Sequence, residues 1–343
     1  MAEQKLRAVL VGCGTISEVW LKASAEIGGL EVVGFVDLNA ENARQRAAEF
    51  GAKNGLVSTD LEAALRQTRP DIVFDCTLPS ARAQVVQTAL AHGCHVLTEK
   101  PMADSLETAR QLVAAARQAG KLYAVMQNRR YDPNMRRVKA FLDSGRMGAL
   151  TTLNSDYYMG VHFESFRRQQ AHILLLDMAI HTFDAARFLI GANAVSAYCY
   201  EWNPAGSWYE RDASALAIFE MSNGVVYTYR GSWCAEGLAT TWESAWHAVG
   251  QRGSLKWDGA ENIQAQVVAR TDSMLSSFDD VPLAGETPRP FGMGHLENLR
   301  EFIDCVRNGG QPLTRADDNI HSLAMVCAAI QSADSGQRVP VVA

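Results

Sequence analysis

Within "LLLDMAIHTFDAARFLIG", residues 174–191, an otherwise apolar helical stretch carries Asp177, His181 and Asp184. At 3.6 residues per turn, positions i, i+4 and i+7 share one face, so the three form a polar stripe. Buried ionisable groups are costly unless paired or used. The stripe fits an acid/base centre in which Asp177 orients His181 and favours its protonated form. It also fits a structural network, with Asp177 and Asp184 holding a neutral core histidine and Arg187 pairing with Asp184. A zinc site is the weaker choice, since no third ligand stands at suggestive spacing, and no metal is expected.

A second candidate is "HVLTEKPM", residues 95–102. An apolar strand ends in Glu99 and Lys100, and Pro101 stops ladder pairing and keeps Lys100 out of the α region. Two opposite charges are thereby fixed at a strand end. Alone, they could equally be a surface ion pair of little consequence.

The elements that must position these residues begin with "LRAVLV" at 6–11, which reads as a buried parallel strand, followed by "GCGTIS" and a helical stretch. Gly12 permits a tight turn and Gly14 lets the backbone approach a pyrophosphate, whose charge meets the first helix amides at Thr15 and Ile16. Ser17 stands where the fingerprint's third glycine would be. Asp37, next to Leu38, follows a second strand 23 positions after Gly14 (37 − 14), where an acid accepts both hydroxyls of an adenosine ribose and repels a 2′-phosphate. NAD is therefore favoured over NADP. In the structural alternative, Asp37 or Asn39 merely caps the next helix. Arg44 and Arg46 read as solvated.

Strands and helices continue to alternate through "DIVFDCTLP", with a strand ending at Thr77 and Pro79, then "HVLTEKP", then "LYAVMQN", ending in Gln127 and Asn128. This rhythm predicts a doubly wound parallel sheet with ligands at the strands' carboxyl ends. From about residue 128 it gives way to strand-like runs, with Asn223-Gly224 and Arg252-Gly253 as hairpin turns, describing an antiparallel sheet. The fold class is α/β. A Rossmann-type domain is expected over 1–127 and an α+β domain with a mostly antiparallel open sheet over 128–343, its C-terminal helices packing back on the body.

Thirty-two basic and 38 acidic residues among 343 give a net charge of −6 without a basic cluster, so nucleic-acid and membrane-surface roles find no support. Seven scattered cysteines without a C-x-x-C pair read as reduced thiols. No export signal or apolar run of roughly 18 residues is recognised, so a cytoplasmic protein is expected. Its partners would be a small molecule and copies of itself.

The combination of "GCGTIS", "TEKPM", "QNRRYDP", "LLLDMAIHTFDAARFLIG" and "HLENLREFIDCVRNGGQPLT" resembles the glucose-fructose oxidoreductase and inositol dehydrogenase family, Gfo/Idh/MocA, along essentially the whole chain. The resemblance implies that Lys100 touches substrate and nicotinamide ribose, that His181 is the acid/base, that Asp177 orients or assists it, and that Asn128 lies near the nicotinamide. It also implies association through the free face of the second sheet, as a dimer or tetramer. Departures are Ser17, Ala83 where many members carry histidine, and "ILL" at 173–175 where many carry glycines. Tyr158, His162, Arg167 and His295 are candidate substrate contacts. The expected activity is NAD-dependent hydride transfer from a secondary alcohol of a sugar, cyclitol or related polyol. An NAD-assisted glycosidase or lyase and a non-catalytic dinucleotide-binding sensor are the alternatives.

Overall fold

The computed structural model describes residues 5–52, 55–164, 166–283 and 294–343. The chain forms two compact units, Met1–Asn128 with Pro290–Ile320, and Arg129–Arg289 with His321–Ala343.

In the first unit the elements are β1 (Leu6–Val11), α1 (Thr15–Ala25), β2 (Leu30–Val36), α2 (Ala40–Glu49), β3 (Leu56–Ser58), α3 (Leu61–Thr68), β4 (Ile72–Asp75), α4 (Pro79–Ala91), β5 (His95–Thr98), α5 (Leu106–Ala119) and β6 (Tyr123–Val125). The strands form a six-stranded sheet in the order β3-β2-β1-β4-β5-β6. All five pairings are parallel. The strands read as continuous apolar runs because helices cover both faces, and all four residues of β4 are buried. Helix starts are set by side-chain caps: Asn39 accepts from Glu41 N, Asp60 from Ala63 N and Ser105 from Thr108 N. α1 and α4 start without one, as does the later helix beginning at His295. Gly14 caps α1 without a side chain, and the first-turn amides receive no side-chain acceptor from the cap.

The units do not follow chain order. α8 (His295–Asn308) places Leu296, Leu299, Phe302 and Ile303 in one core with Trp20, Phe35 and Phe74. Arg307 secures the same helix by donating to Gly28 O at 2.6 Å. A division at residue 128 puts α8 in the second half. Its apolar stripe instead belongs to the first unit's core.

The second unit contains α6 (Pro133–Asp143), β7 (Leu150–Tyr158), a π-helix (Leu174–Ala179), α7 (Ile180–Ile190), β8 (Ala194–Trp202), β9 (Ser214–Met221), β10 (Val226–Ser232), β11 (Ala245–Gly250), β12 (Gly253–Trp257), β13 (Ile263–Arg270) and β14 (Ser277–Asp280). α9 (Ala316–Ser335) and β15 (Val339–Pro340) follow α8. The nine described strands run β14-β13-β12-β11-β7-β10-β9-β8-β15. Only β7 and β10 pair in parallel. Alternation along β9, with inward residues buried and Leu216, Ile218 and Glu220 exposed, marks a sheet covered on one face. On the covered face Phe183 of α7 packs edge-on against Phe219 and Tyr229, with centroids at 4.8 and 5.3 Å.

Asn223-Gly224 turns the β9–β10 hairpin as expected, with Gly224 at φ +84°. The second turn is displaced: Gly250 pairs with Gly253, so Gln251 and Arg252 make it. Gly253 is needed for space, since a Cβ there would lie 2.4 Å from Gln266 O. No helix among the described residues is long and apolar enough to cross a membrane.

Candidate active site

The glycine turn at the end of β1 has the features of a phosphate cradle. Gly12 adopts φ +85°, and a Cβ there would sit 2.7 Å from Cys76 C. Gly14 faces open space, with nothing within 4 Å of where its Cβ would be. Thr15 and Ile16 begin α1, so their amides stand at its positive end. Ser17 replaces the third glycine without cost to packing. It is fully buried, and its hydroxyl turns back onto Gly14 O at 2.5 Å.

Asp37 follows β2. Its Oδ2 accepts from Cys13 N and its Oδ1 from Asn39 N, both at 2.8 Å, joining the acid to the glycine turn. Asn39 takes the capping role on α2, so Asp37 is not the cap. A cavity of about 710 Å³ is lined by Gly12, Gly14, Asp37, Leu38 and Thr77 among others, and Leu38 is almost wholly exposed there. Pro79 is the first residue of α4, two residues after Thr77, and β4 already ends at Asp75. The glycine cradle, open helix start and acid at the end of β2 fit a dinucleotide. Arg46 departs from its solvated expectation: its side chain is largely buried and donates to Gly14 O at 3.3 Å. Beside the turn, burial pushes the Cys13 thiol up to about 12, which makes it inert.

At the ends of β4 and β5, Asp75 is fully buried and organises the rim. It accepts from Thr77 N at 3.0 Å, Thr77 Oγ1 at 2.6 Å and Thr98 Oγ1 at 2.7 Å. Arg82 donates to Thr77 O and to Pro101 O. Glu99 is held on both oxygens, by Trp20 Nε1 at 2.6 Å and Lys100 N at 3.1 Å. Lys100 is half-buried beside it. Glu99 and Lys100 are therefore no loose surface pair. Asp75 and Arg82 carry a visible signal, an acid closing an apolar strand and an arginine in the next helix. Trp20 carries none, because 79 residues separate it from Glu99. Gln127 and Asn128 are buried, and Asn128 Nδ2 lies 3.5 Å from Nδ1 of His295. His295 thus starts α8 in the first unit, buried against Asn128.

In the second unit the expected three-residue stripe divides. Asp184 is fully buried, gripped by Arg130 Nε and Nη2 at 2.7 Å each and by Ser322 Oγ at 2.7 Å. Arg187 approaches it at 3.8 Å and donates to Asn193 and Ser322. Asp184 is structural. Asp177 and His181 remain half-buried, and Asp177 pairs with Arg167 at 3.3 Å. The π-helix ends between Asp177 and His181, and its wider turn shifts Asp177 from the α-helical spacing it would have with His181 and Asp184; burial then separates Asp184 from half-buried His181 within α7. Leu174 and Leu175, in the place of glycines, are fully buried within it. Tyr158 ends β7, half-buried. His162 turns to solvent, bonded to Glu236 at 2.9 Å and stacked on Trp208 at 3.7 Å. Among the described residues, no group of three metal-ligating side chains occurs.

Residues 6–127 match the GFO_IDH_MocA oxidoreductase family, NAD-binding Rossmann fold, and residues 139–341 match its C-terminal alpha/beta domain. The chain belongs to the Gfo/Idh/MocA oxidoreductase family. It is thereby an oxidoreductase with an NAD-binding domain. Relatives include D-apiose dehydrogenase of Paraburkholderia graminis, 26% identical over 98% of this chain and 90% of that protein. Another is 1,5-anhydro-D-fructose reductase of Ensifer adhaerens, 24% identical over 97% of both. An oxidoreductase from Agrobacterium radiobacter, solved with NAD+, L-tartaric acid and magnesium, shares the fold at TM-score 0.86 and 21% identity, covering 98% of this chain and 99% of that one. Members of the Gfo/Idh/MocA family thus match this chain almost end to end.

Proposed function

We propose that this Gfo/Idh/MocA member oxidises a secondary alcohol of a sugar, cyclitol or related polyol, with NAD preferred over NADP. The observation that supports this most is the division of the helix stripe. Asp184 is consumed by Arg130 and Ser322, whereas Asp177 and His181 stay half-buried at the junction of the π-helix and α7. Relatives named for D-apiose and 1,5-anhydro-D-fructose fit the substrate class.

NAD, when bound, supplies the nicotinamide that accepts the carbinol hydride. His181 removes the hydroxyl proton as general base. Asp177 favours the resulting imidazolium, and Lys100 donates to the developing alkoxide. Glu99, fixed by Trp20, holds the strand end from which Lys100 projects. Gly12, Gly14, the first turn of α1 and Asp37 hold the dinucleotide.

The test follows NADH absorbance with a panel of sugars, inositols and sugar acids. It then records the pH profile of kcat/KM for the unmodified protein, His181→Ala and Lys100→Met. His181→Ala should lower turnover by about 10²–10⁴-fold and remove the limb along which kcat/KM rises with pH, while Lys100→Met lowers kcat and kcat/KM together and keeps that limb. Loss of the limb in the lysine variant alone would exchange the two roles. Substrate cleavage without net NADH would move the assignment to a glycosidase or lyase, and tight NAD binding without turnover to a sensor.

Association through the outer face of the second sheet belongs to the same proposal. Tyr198 pairs across to Ile218 and Tyr200 to Leu216, and all four are exposed, giving a contiguous apolar patch suited to a second copy. Sedimentation of an Ile218→Lys, Leu216→Lys double variant should give a smaller species than the unmodified chain. The buried thiols of Cys13, Cys76, Cys94 and Cys199 suit a cytoplasmic location.

A further inference from the structure

We infer that Trp242 is the platform on which the ring of a cyclic substrate lies, so that the protein selects ring forms of sugars or cyclitols over open-chain polyols. This rests on the sugar or polyol reading of the Asp177 and His181 site.

The segment Thr241–Ser244 is more firmly held than any loop needs to be for connection alone. Thr241 Oγ1 donates to Gly259 O at 2.9 Å, and Glu243 N donates to Thr241 Oγ1 at 3.2 Å. Trp246 Nε1 donates to Glu243 O at 2.7 Å, and the Glu243 carboxylate pairs with Arg129. Ser244 is buried at φ +66°, a conformation a non-glycine residue keeps only when its surroundings impose it. Gly259 packs so closely that a Cβ would lie 2.1 Å from Ser244 O. Within this clamp one large residue stays open: Trp242 is 40% exposed.

Two chains of contact run from this segment toward the acid/base residues. Ser244 Oγ lies 3.3 Å from Oγ1 of Thr182, the neighbour of His181. Trp242 also packs edge-on against buried Trp233 at 5.8 Å, and Trp233 against Phe163 at 5.5 Å. Phe163 lies under the Arg167 guanidinium, 5.1 Å from its ring centre, and Arg167 pairs with Asp177. An exposed indole on a held segment, linked through Trp233, Phe163 and Arg167 to a charge-paired acid, matches a saccharide ring, whose C–H face is apolar while its edge carries hydroxyls. An open-chain polyol presents no such face.

The experiment is saturation-transfer NMR on the NADH-loaded protein. Its probes are the methyl pyranosides of glucose, galactose, mannose and xylose and myo-inositol, against glucitol, mannitol and xylitol. At least one ring compound should bind with saturation concentrated on the protons of one ring face. Trp242→Ala should weaken it about tenfold, Trp242→Tyr should recover most of the loss, and both variants should keep the melting temperature and NADH affinity of the unmodified protein. Equal binding of rings by Trp242→Ala, or open-chain polyols binding as tightly as rings, overturns the platform while leaving the dehydrogenase reading intact. Binding of none of the eight compounds overturns both.

Discussion

Arg167 Nε lies 3.3 Å from Asp177 Oδ2, so the acid four residues before His181 has its own cation. We propose that Arg167 holds this carboxylate in one orientation. Arg167→Ala should lower kcat about tenfold with NAD affinity unchanged, because the acid loses its orientation but the imidazole remains. Steady-state kinetics beside NAD titration checks this. A rise in KM alone would return Arg167 to substrate binding.

Asp37 bonds to the amides of Cys13 and Asn39 and leaves the capping of α2 to Asn39. Asn42 Nδ2 approaches the same Oδ1 at 3.4 Å, and the proposed cofactor preference rests on the acid's remaining acceptor capacity and its negative charge. Asp37→Ala should weaken NAD and narrow the ratio of NAD to NADP use. Equal use of NADP by the unmodified enzyme defeats the assignment.

Asp184 and Arg130 form a bidentate pair in which both side chains are at most 5% exposed. Removing one partner leaves the other charge buried and uncompensated. Asp184→Ala should cost about 3–5 kcal/mol of stability. Urea unfolding measures it, and a loss under about 1 kcal/mol would mean the charge had found water.

His172, just before the π-helix, adopts φ +54° and bonds Glu201 Oε2 through Nδ1 at 2.6 Å, with Asp334 at 4.0 Å. The hydrogen bond to Glu201 raises the histidine above its ordinary value of about 6.5, with Asp334 and Asp212 acting in the same direction. Folded His172 thus holds its proton more tightly than the unfolded chain does. Its contribution is complete below the ordinary value and is lost as pH rises through the folded one. Burial raises Glu201 as well, which carries the same sign. Melting temperature should fall as pH rises from about 6 to 8. His172→Asn, which keeps a residue tolerant of positive φ, should flatten that slope. An unchanged slope would place the titration elsewhere.

Legibility in the sequence tracked locality. Gly12, Gly14, Asp37 and the Glu99-Lys100 pair lie at strand ends, and strand ends follow from apolar runs and turn chemistry. β7 to β12 were equally open to that logic. β14 was not, since all four of its residues are exposed, and β15 is only two residues long. The stripe at 177, 181 and 184 followed α-helical spacing, which the π-helix breaks. Trp20 against Glu99, Arg130 against Asp184 and Ser244 against Thr182 are contacts between residues far apart in the chain. Nothing in a local pattern reports a partner chosen by the fold.

The placement of α8 in the core of the six-stranded sheet also matters during synthesis. When Asn128 leaves the ribosome, the helix carrying Leu299, Phe302 and Ile303 is still unmade, and His295 follows 167 residues later (295 − 128). At cellular elongation rates that interval is on the order of ten seconds. Throughout it Trp20, Leu21 and Ile27 have one flank uncovered. The nascent amino-terminal sheet is therefore a natural client for chaperones that bind exposed apolar surface, and a chain truncated before residue 295 keeps that surface for good.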